Sequence, residues 1–285
     1  MRRVLAVLAV GVLAGCTSGG AGPVAPAPAA FAAGTTMARL HAAGRVTIGS
    51  KFDQPGFGLA GPDGRPAGFD VEIGKIIAAE LGIPPERIRW VATPAKVRED
   101  YLVQGRADLI TATYTINDKR KQRVDFAGPY YVAGQQIMTR RYDDAITGPD
   151  SLRDGTKKVC SGTGTIPAEN IKSYLKDADR QLIQYDTYAE CTADLLAGRV
   201  DAVTTDNVIL TGFVAAHPDD LALVGKRFTS ESYGIGVRKG DDSFRAFLND
   251  LLERIVKDGR YAKAWTDTAG RFDPAIPEAP AVDRY

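Results

Sequence analysis

A seven-residue segment that occurs twice constrains this chain more than any other feature. Leu102-Val-Gln-Gly105-Arg106-Ala-Asp108 returns as Leu195-Leu-Ala-Gly198-Arg199-Val-Asp201, each copy a helix end, a glycine turn and a strand start. Turns of this kind are common singly. Carried along both strands, the same offset pairs Thr113 with Asp206, which points to two similar α/β units with polar residues at equivalent strand ends. In open α/β sheets ligands lie outside the carboxyl ends of the strands. Two such units facing one another would enclose a ligand between Thr113-Tyr114-Thr115 and Thr205-Asp206.

The rest of the pattern agrees with alternating strands and helices. Val46 and Ile48 mark a strand, and Ile73, Ile76, Ile77 and Leu81 fall on one stripe of a helix over 70–81, stopped by Gly82 and Pro84. A strand over 89–92 precedes a helix that Pro94 opens and that runs to about Gln104; a strand is expected over 108–115, and Asn117 and Asp118 cap a short basic helix. Further on come a strand over 158–161, a helix over 167–176, a Thr187/Glu190 capping box and a strand over 200–204. Phe244, Phe247, Leu248, Leu251, Leu252 and Ile255 mark an amphipathic helix. Alternation of this kind argues for α/β layers with largely parallel sheets.

The N-terminus sets the compartment. Arg2 and Arg3, an apolar stretch from Val4 to Leu13, and Leu13-Ala14-Gly15-Cys16 read as a lipoprotein signal over 1–15, with Cys16 as the lipidation site. The stretch is too short to span a bilayer, which takes about 20 apolar residues; the alternative is an ordinary signal peptide with a chance cysteine. Residues 16–38 are small, polar or Pro-rich and read as a flexible tether. In an oxidising compartment Cys160 and Cys191 suggest a disulfide, with two separate buried thiols the alternative. The 36 basic and 35 acidic residues balance, so nothing favours a nucleic-acid partner.

Chemistry is sparse. His41 and His217 read as surface residues, and neither a metal cluster, a cofactor motif nor a poised base is evident. Ser161-Gly162-Thr163-Gly164-Thr165 lacks the ending of a P-loop, yet it lies between a strand and a helix where backbone N–H groups would favour a carboxylate. Arg120, five residues beyond Thr115, could grip a carboxylate with its planar fork, and Asp206 on the other unit could take an ammonium. That combination suits an α-amino acid.

With these residues in place the chain resembles family 3 of the extracellular solute-binding proteins, which serve polar amino-acid ABC importers. Carrying segments are Gly68-Phe69-Asp70-Val71-Glu72-Ile73, Thr115-Ile-Asn-Asp118-Lys-Arg120, Val124-Asp-Phe126-Ala-Gly-Pro-Tyr130-Tyr131, Ser161-Gly162-Thr163-Gly164 and Tyr233-Gly234-Ile235-Gly236, across 45–268. Lys51-Phe-Asp-Gln-Pro-Gly56 is most similar to actinobacterial glutamate-binding lipoproteins.

The resemblance implies an α/β, type II periplasmic-binding-protein-like fold: two lobes of mixed sheets flanked by helices, joined by two crossing strands. Lobe 1 would be 39–134 plus 234–272, lobe 2 138–230, with crossings over 133–140 and 228–237 and a C-terminal tail over 273–285. Arg120, Thr115 and Thr165 would hold the α-carboxylate; the Thr113 carbonyl and Asp206 would receive the α-ammonium; Phe57 would form an aromatic wall. Tyr114, Gly162, Thr163 and Thr205 complete the expected site, while Lys51 and Arg98 favour an acidic side chain. The implied protein is a monomer, not an enzyme, anchored by lipid outside the cell membrane and partnered by an ABC permease. Alternatives are a receptor for glutamine, asparagine, cystine or another polar amino acid, and a sensor subunit. A dehydratase on this fold would need an acid/base absent from the sequence pattern.

Overall fold

The computed structural model describes residues 31–285; the signal, Cys16 and the first part of the tether lie outside them. Among the described residues thirteen strands run in the order β1 (Val46–Ser50), β2 (Asp53–Gln54), β3 (Gly58–Ala60), β4 (Pro66–Ala67), β5 (Ile88–Ala92), β6 (Leu109–Ile110), β7 (Val124–Ala133), β8 (Gln135–Arg140), β9 (Val159–Gly162), β10 (Leu182–Tyr185), β11 (Ala202–Asp206), β12 (Leu221–Val224) and β13 (Glu231–Arg238). They form two five-stranded mixed sheets, β5-β1-β6-β13-β7 and β10-β9-β11-β8-β12, and a small sheet β2-β3-β4.

The two large sheets share one plan. In each, a central strand pairs in parallel on both sides and antiparallel strands complete the far edge: β5-β1-β6 then β13 and β7, β10-β9-β11 then β8 and β12. The repeated segment lies at equivalent places. Asp108 donates its N–H to the Thr47 carbonyl at 2.8 Å and accepts from the Thr47 N–H; Asp201 does the same with Lys158, again with 2.8 Å to the carbonyl. Gly105 and Gly198 both take left-handed backbone, φ 67° and 71°, which a residue with a Cβ adopts at a cost.

The chain passes from the first sheet to the second through Gly134, between β7 and β8, and returns just before β13. There Thr229 accepts the N–H of Gln135, and Glu231 pairs with Ala133. The helix Phe69–Glu80 starts at Gly68, whose φ of 141° and missing Cβ let it lie on the Phe57 backbone: an added Cβ would come within 2.3 Å.

Several elements depart from the sequence reading. Residues 31–38 do not form a tether: Thr35 caps the helix Thr36–Ala43, Met37 and Leu40 are buried, and Phe31 packs on His41 and Phe247. The strand expected over 108–115 ends at Ile110, because Thr113 turns to φ 45°. The helix expected over 167–176 is α-helical only over Ile166–Ile171 and tightens to a 3₁₀ turn, Lys172–Tyr174. The C-terminal segment packs back on β7, where Asp283 donates to the Gly128 carbonyl and the Phe126 N–H donates to Tyr285 Oη. Cys160 and Cys191 form a disulfide with a Cα–Cα distance of 5.5 Å.

Candidate functional site

A small, partly open cavity of about 20 Å³ lies between the lobes, where the carboxyl ends of β1, β6 and β11 converge. Lys51, Gln54, Ala95, Arg98, Thr113, Thr115 and Arg120 line it from one side. Thr165, Ile166, Pro167, Tyr188, Thr205, Asp206 and Ile209 face them from the other. Three cations and one carboxylate thus meet in one pocket.

Arg120 sits on the short helix Asp118–Lys121, started by Asn117, whose Oδ1 accepts the Arg120 N–H at 2.8 Å. Its Nη1 donates to the Thr115 carbonyl at 2.6 Å, its Nη2 crosses the cleft to the Gly164 carbonyl at 3.3 Å, and its Nε faces Glu99 at 3.2 Å. A guanidinium has five N–H donors, so each terminal nitrogen keeps one. Burial, then the Arg98 charge, brings its pKa down to about 10.

Arg98 begins the helix Arg98–Val103. Its Nη1 donates to the carbonyls of Ala112 (2.7 Å) and Thr113 (3.3 Å), while its Nε is buried without a partner. The guanidinium lies 4.1 Å from the Tyr114 ring centre and that of Arg120 lies 5.2 Å from it, so Tyr114 backs both cations rather than lining the cavity. Thr113 is held in its left-handed turn from three sides. Its N–H donates to Asp70 Oδ2 at 2.7 Å, its hydroxyl to Gln54 at 3.1 Å, and its carbonyl accepts from Arg98. Asp70 also accepts from Tyr130 at 2.6 Å; burial raises its carboxyl to about 6.

Lys51 follows β1 directly and is buried. Among the described residues no carboxylate lies within ion-pair distance of it, and burial, reinforced by Arg98, lowers its pKa to about 7. Asp206 ends β11 and precedes the helix Asn207–Ala216. Its Oδ2 accepts from Tyr233, its Oδ1 is buried without a partner, and burial lifts its carboxyl to about 7. Thr165 caps the helix Ile166–Ile171, accepting the Ala168 N–H, and Thr205 Oγ1 has no partner.

The structure therefore brings together eight of the expected residues: Lys51, Arg98, Thr113, Thr115, Arg120, Thr165, Thr205 and Asp206. Gly162 and Thr163 stand behind the pocket; Gly162 packs on Tyr188, and the Thr163 hydroxyl donates to the Tyr185 carbonyl. Phe57 is corrected: it does not line the cavity. Its ring is taken up by an edge-on cluster with Phe69, Tyr131, Tyr233 and Trp265. Gln54 and Tyr188 were not anticipated. Gln54 stands three residues beyond Lys51, and Tyr188 directly follows a cap legible in the sequence, but only the fold turns them inward.

The architecture has counterparts among known proteins. The model of bacterial extracellular solute-binding proteins, family 3, matches residues 46–267. The chain belongs to that family. The glutamate-binding protein GluB of Corynebacterium efficiens is 38% identical over 249 residues, 84% of each chain. The ABC transporter glutamine-binding protein GlnH of Bacillus subtilis is 33% identical over 259 residues, 90% of this chain and 92% of that one. A solved ancestral arginine-binding protein bound to glutamine superposes with a TM-score of 0.73 at 32% identity, covering 79% of this chain and 97% of its own. These family 3 relatives are binding proteins, and among the described residues no group of acidic, histidine or cysteine side chains could hold a metal. Nor is any described helix long and apolar enough to cross a membrane.

Proposed function

We propose that this family 3 protein is a lipid-anchored extracytoplasmic receptor that captures an acidic amino acid, glutamate or aspartate, and delivers it to an ABC permease. The observation that carries the reading is the convergence of Lys51, Arg98 and Arg120 with a single lining carboxylate, Asp206, on one cavity between the lobes. A bound α-amino acid brings one carboxylate and one ammonium. The free N–H groups of Arg120 suit the first, and the unpartnered Asp206 Oδ1 suits the second. That leaves Lys51 and the Nε edge of Arg98 facing the ligand's side chain, and a second carboxylate there relieves both. A glutamate-binding relative at 38% identity supports this choice.

An amide ligand is the second reading. It is favoured by the depressed pKa of Lys51, which lets a neutral amine meet an amide, and by the glutamine-binding relative. Calorimetric titration with L-glutamate, L-aspartate, L-glutamine and L-asparagine separates the two. Wild type should prefer an acid, and Lys51→Met, which keeps the bulk and removes the charge, should weaken the acids about tenfold more than their amides. A preference for an amide in the wild type would sink the acidic reading.

A further inference from the structure

Asp53 begins the strand β2, between Lys51 and Gln54, yet it does not line the cavity. Its Oδ2 instead accepts the backbone N–H of Tyr188 at 2.9 Å, across the cleft on the other lobe. Tyr188 is the first residue of the helix Tyr188–Leu196. An N–H in the first turn of a helix has no partner within that helix. Its neighbours are met locally: the Thr187 N–H donates to Glu190 Oε2, and the Glu190 N–H to Thr187 Oγ1. The Tyr188 N–H is met from the other lobe.

The acceptor is a carboxylate, which makes the bond roughly twice as strong as a neutral one. It also sits at the positive end of the helix dipole. On the second lobe the Cys160–Cys191 disulfide ties this helix to β9, so its N-terminus is a fixed docking point. On the first lobe Asp53 is continuous with Lys51 and Gln54, which both line the cavity. Parting of the lobes breaks the contact. Closure remakes it and brings Lys51 and Gln54 onto the cavity in the same movement.

We propose that Asp53 is a positioning residue for ligand capture: its carboxylate docks on the N-terminus of the helix Tyr188–Leu196 as the lobes close, and locks Lys51 and Gln54 over the bound amino acid. The inference rests on capture of an amino acid between the two lobes, whichever side chain it carries. Asp53 touches no ligand atom in this role, so it acts on acids and amides alike. Its negative charge also acts on Lys51. Were that its main role, removing it would change the acids and spare the amides.

The test is Asp53→Ala and Asp53→Asn, titrated beside wild type with L-glutamate, L-aspartate, L-glutamine and L-asparagine. Stopped-flow dissociation and thermal unfolding of the ligand-free protein accompany it. Asp53→Ala is expected to weaken acids and amides alike by about tenfold. The loss should come from faster dissociation, with association nearly unchanged. Asp53→Asn, which keeps an acceptor oxygen without the charge, should fall between the two. A change confined to the acids would assign Asp53 to the charge of Lys51 and overturn the proposal. So would unchanged affinity and dissociation, or a ligand-free protein that melts lower with affinity intact. The wild-type profile tests the acidic reading, and the ratio of variant to wild type tests Asp53, so the two fail separately.

Discussion

Lys51 and Asp206 carry opposite charges and are driven to the same place on the pH scale. Burial is the main cause for both: it holds Lys51 at about 7 instead of 10.5 and Asp206 at about 7 instead of 3.8. Asp206 therefore binds more protons folded than unfolded between about 4 and 7, and the stability it contributes is lost as pH rises through about 7. Lys51 binds fewer protons folded than unfolded between about 7 and 10.5, and its contribution is lost as pH falls through about 7. Together they predict a dip in ligand-free stability near pH 7, flanked by gains on both sides, which denaturant titration across pH 5–9 reads directly. Asp70, raised to about 6, deepens the acid limb. Lys51→Met should abolish the alkaline limb alone. A flat profile in both proteins would show that these two groups are not buried as charges. Arg98 carries a lesson about truncation at this scale: it holds the carbonyls of Ala112 and Thr113, so its removal disturbs the strand end as well as the pocket's charge.

The helix Tyr188–Leu196 joins sequence, packing and site. Its capping box and its place beside the second copy of the repeated segment are both readable in the chain, because caps and glycine turns are local devices. The disulfide pins it to β9 across a sequence separation of 31, which in the chain-entropy model is worth about 3–4 kcal/mol. Reduction, or Cys160→Ala with Cys191→Ala, should lower stability by roughly that amount, and non-reduced peptide mass spectrometry should recover the linkage; two alkylatable thiols in the native protein would exclude it. What was not legible depends on distant partners. Thr113 leaves the strand because Asp70, Gln54 and Arg98, separated along the chain, all bond to it. Phe57 points into the aromatic cluster because Trp265 and Tyr233 are there to receive it. No local pattern encodes either outcome. The helix Asn207–Ala216 lacks a side-chain cap bond, since Asp206, at its cap position, keeps its carboxylate for Tyr233 and the cavity.

The lobes meet in several places outside the cavity. Lys96 pairs with Asp186 at 2.7 Å, and the Gly212 backbone lies against Pro55. Exposed pairs such as the first contribute little, at most about 1 kcal/mol. The glycine contact is steric and harder to evade: a Cβ at Gly212 would lie 2.5 Å from the Pro55 carbonyl oxygen and 2.9 Å from its Cβ. Gly212 sits inside the helix Asn207–Ala216 with ordinary helical backbone, so alanine there favours the helix by about 1 kcal/mol. The two effects have opposite signs in different states. Gly212→Ala should leave the ligand-free protein as stable as wild type or more so, while holding the lobes apart and weakening every amino-acid ligand by a similar factor. Ligands bind the closed arrangement through contacts from both sides, so whatever obstructs closure subtracts from affinity without touching the pocket. Thermal unfolding with and without glutamate should show a preserved baseline and a reduced ligand shift, and small-angle scattering should show less compaction at saturation. An unchanged ligand shift would mean that the face between Gly212 and Pro55 does not limit closure.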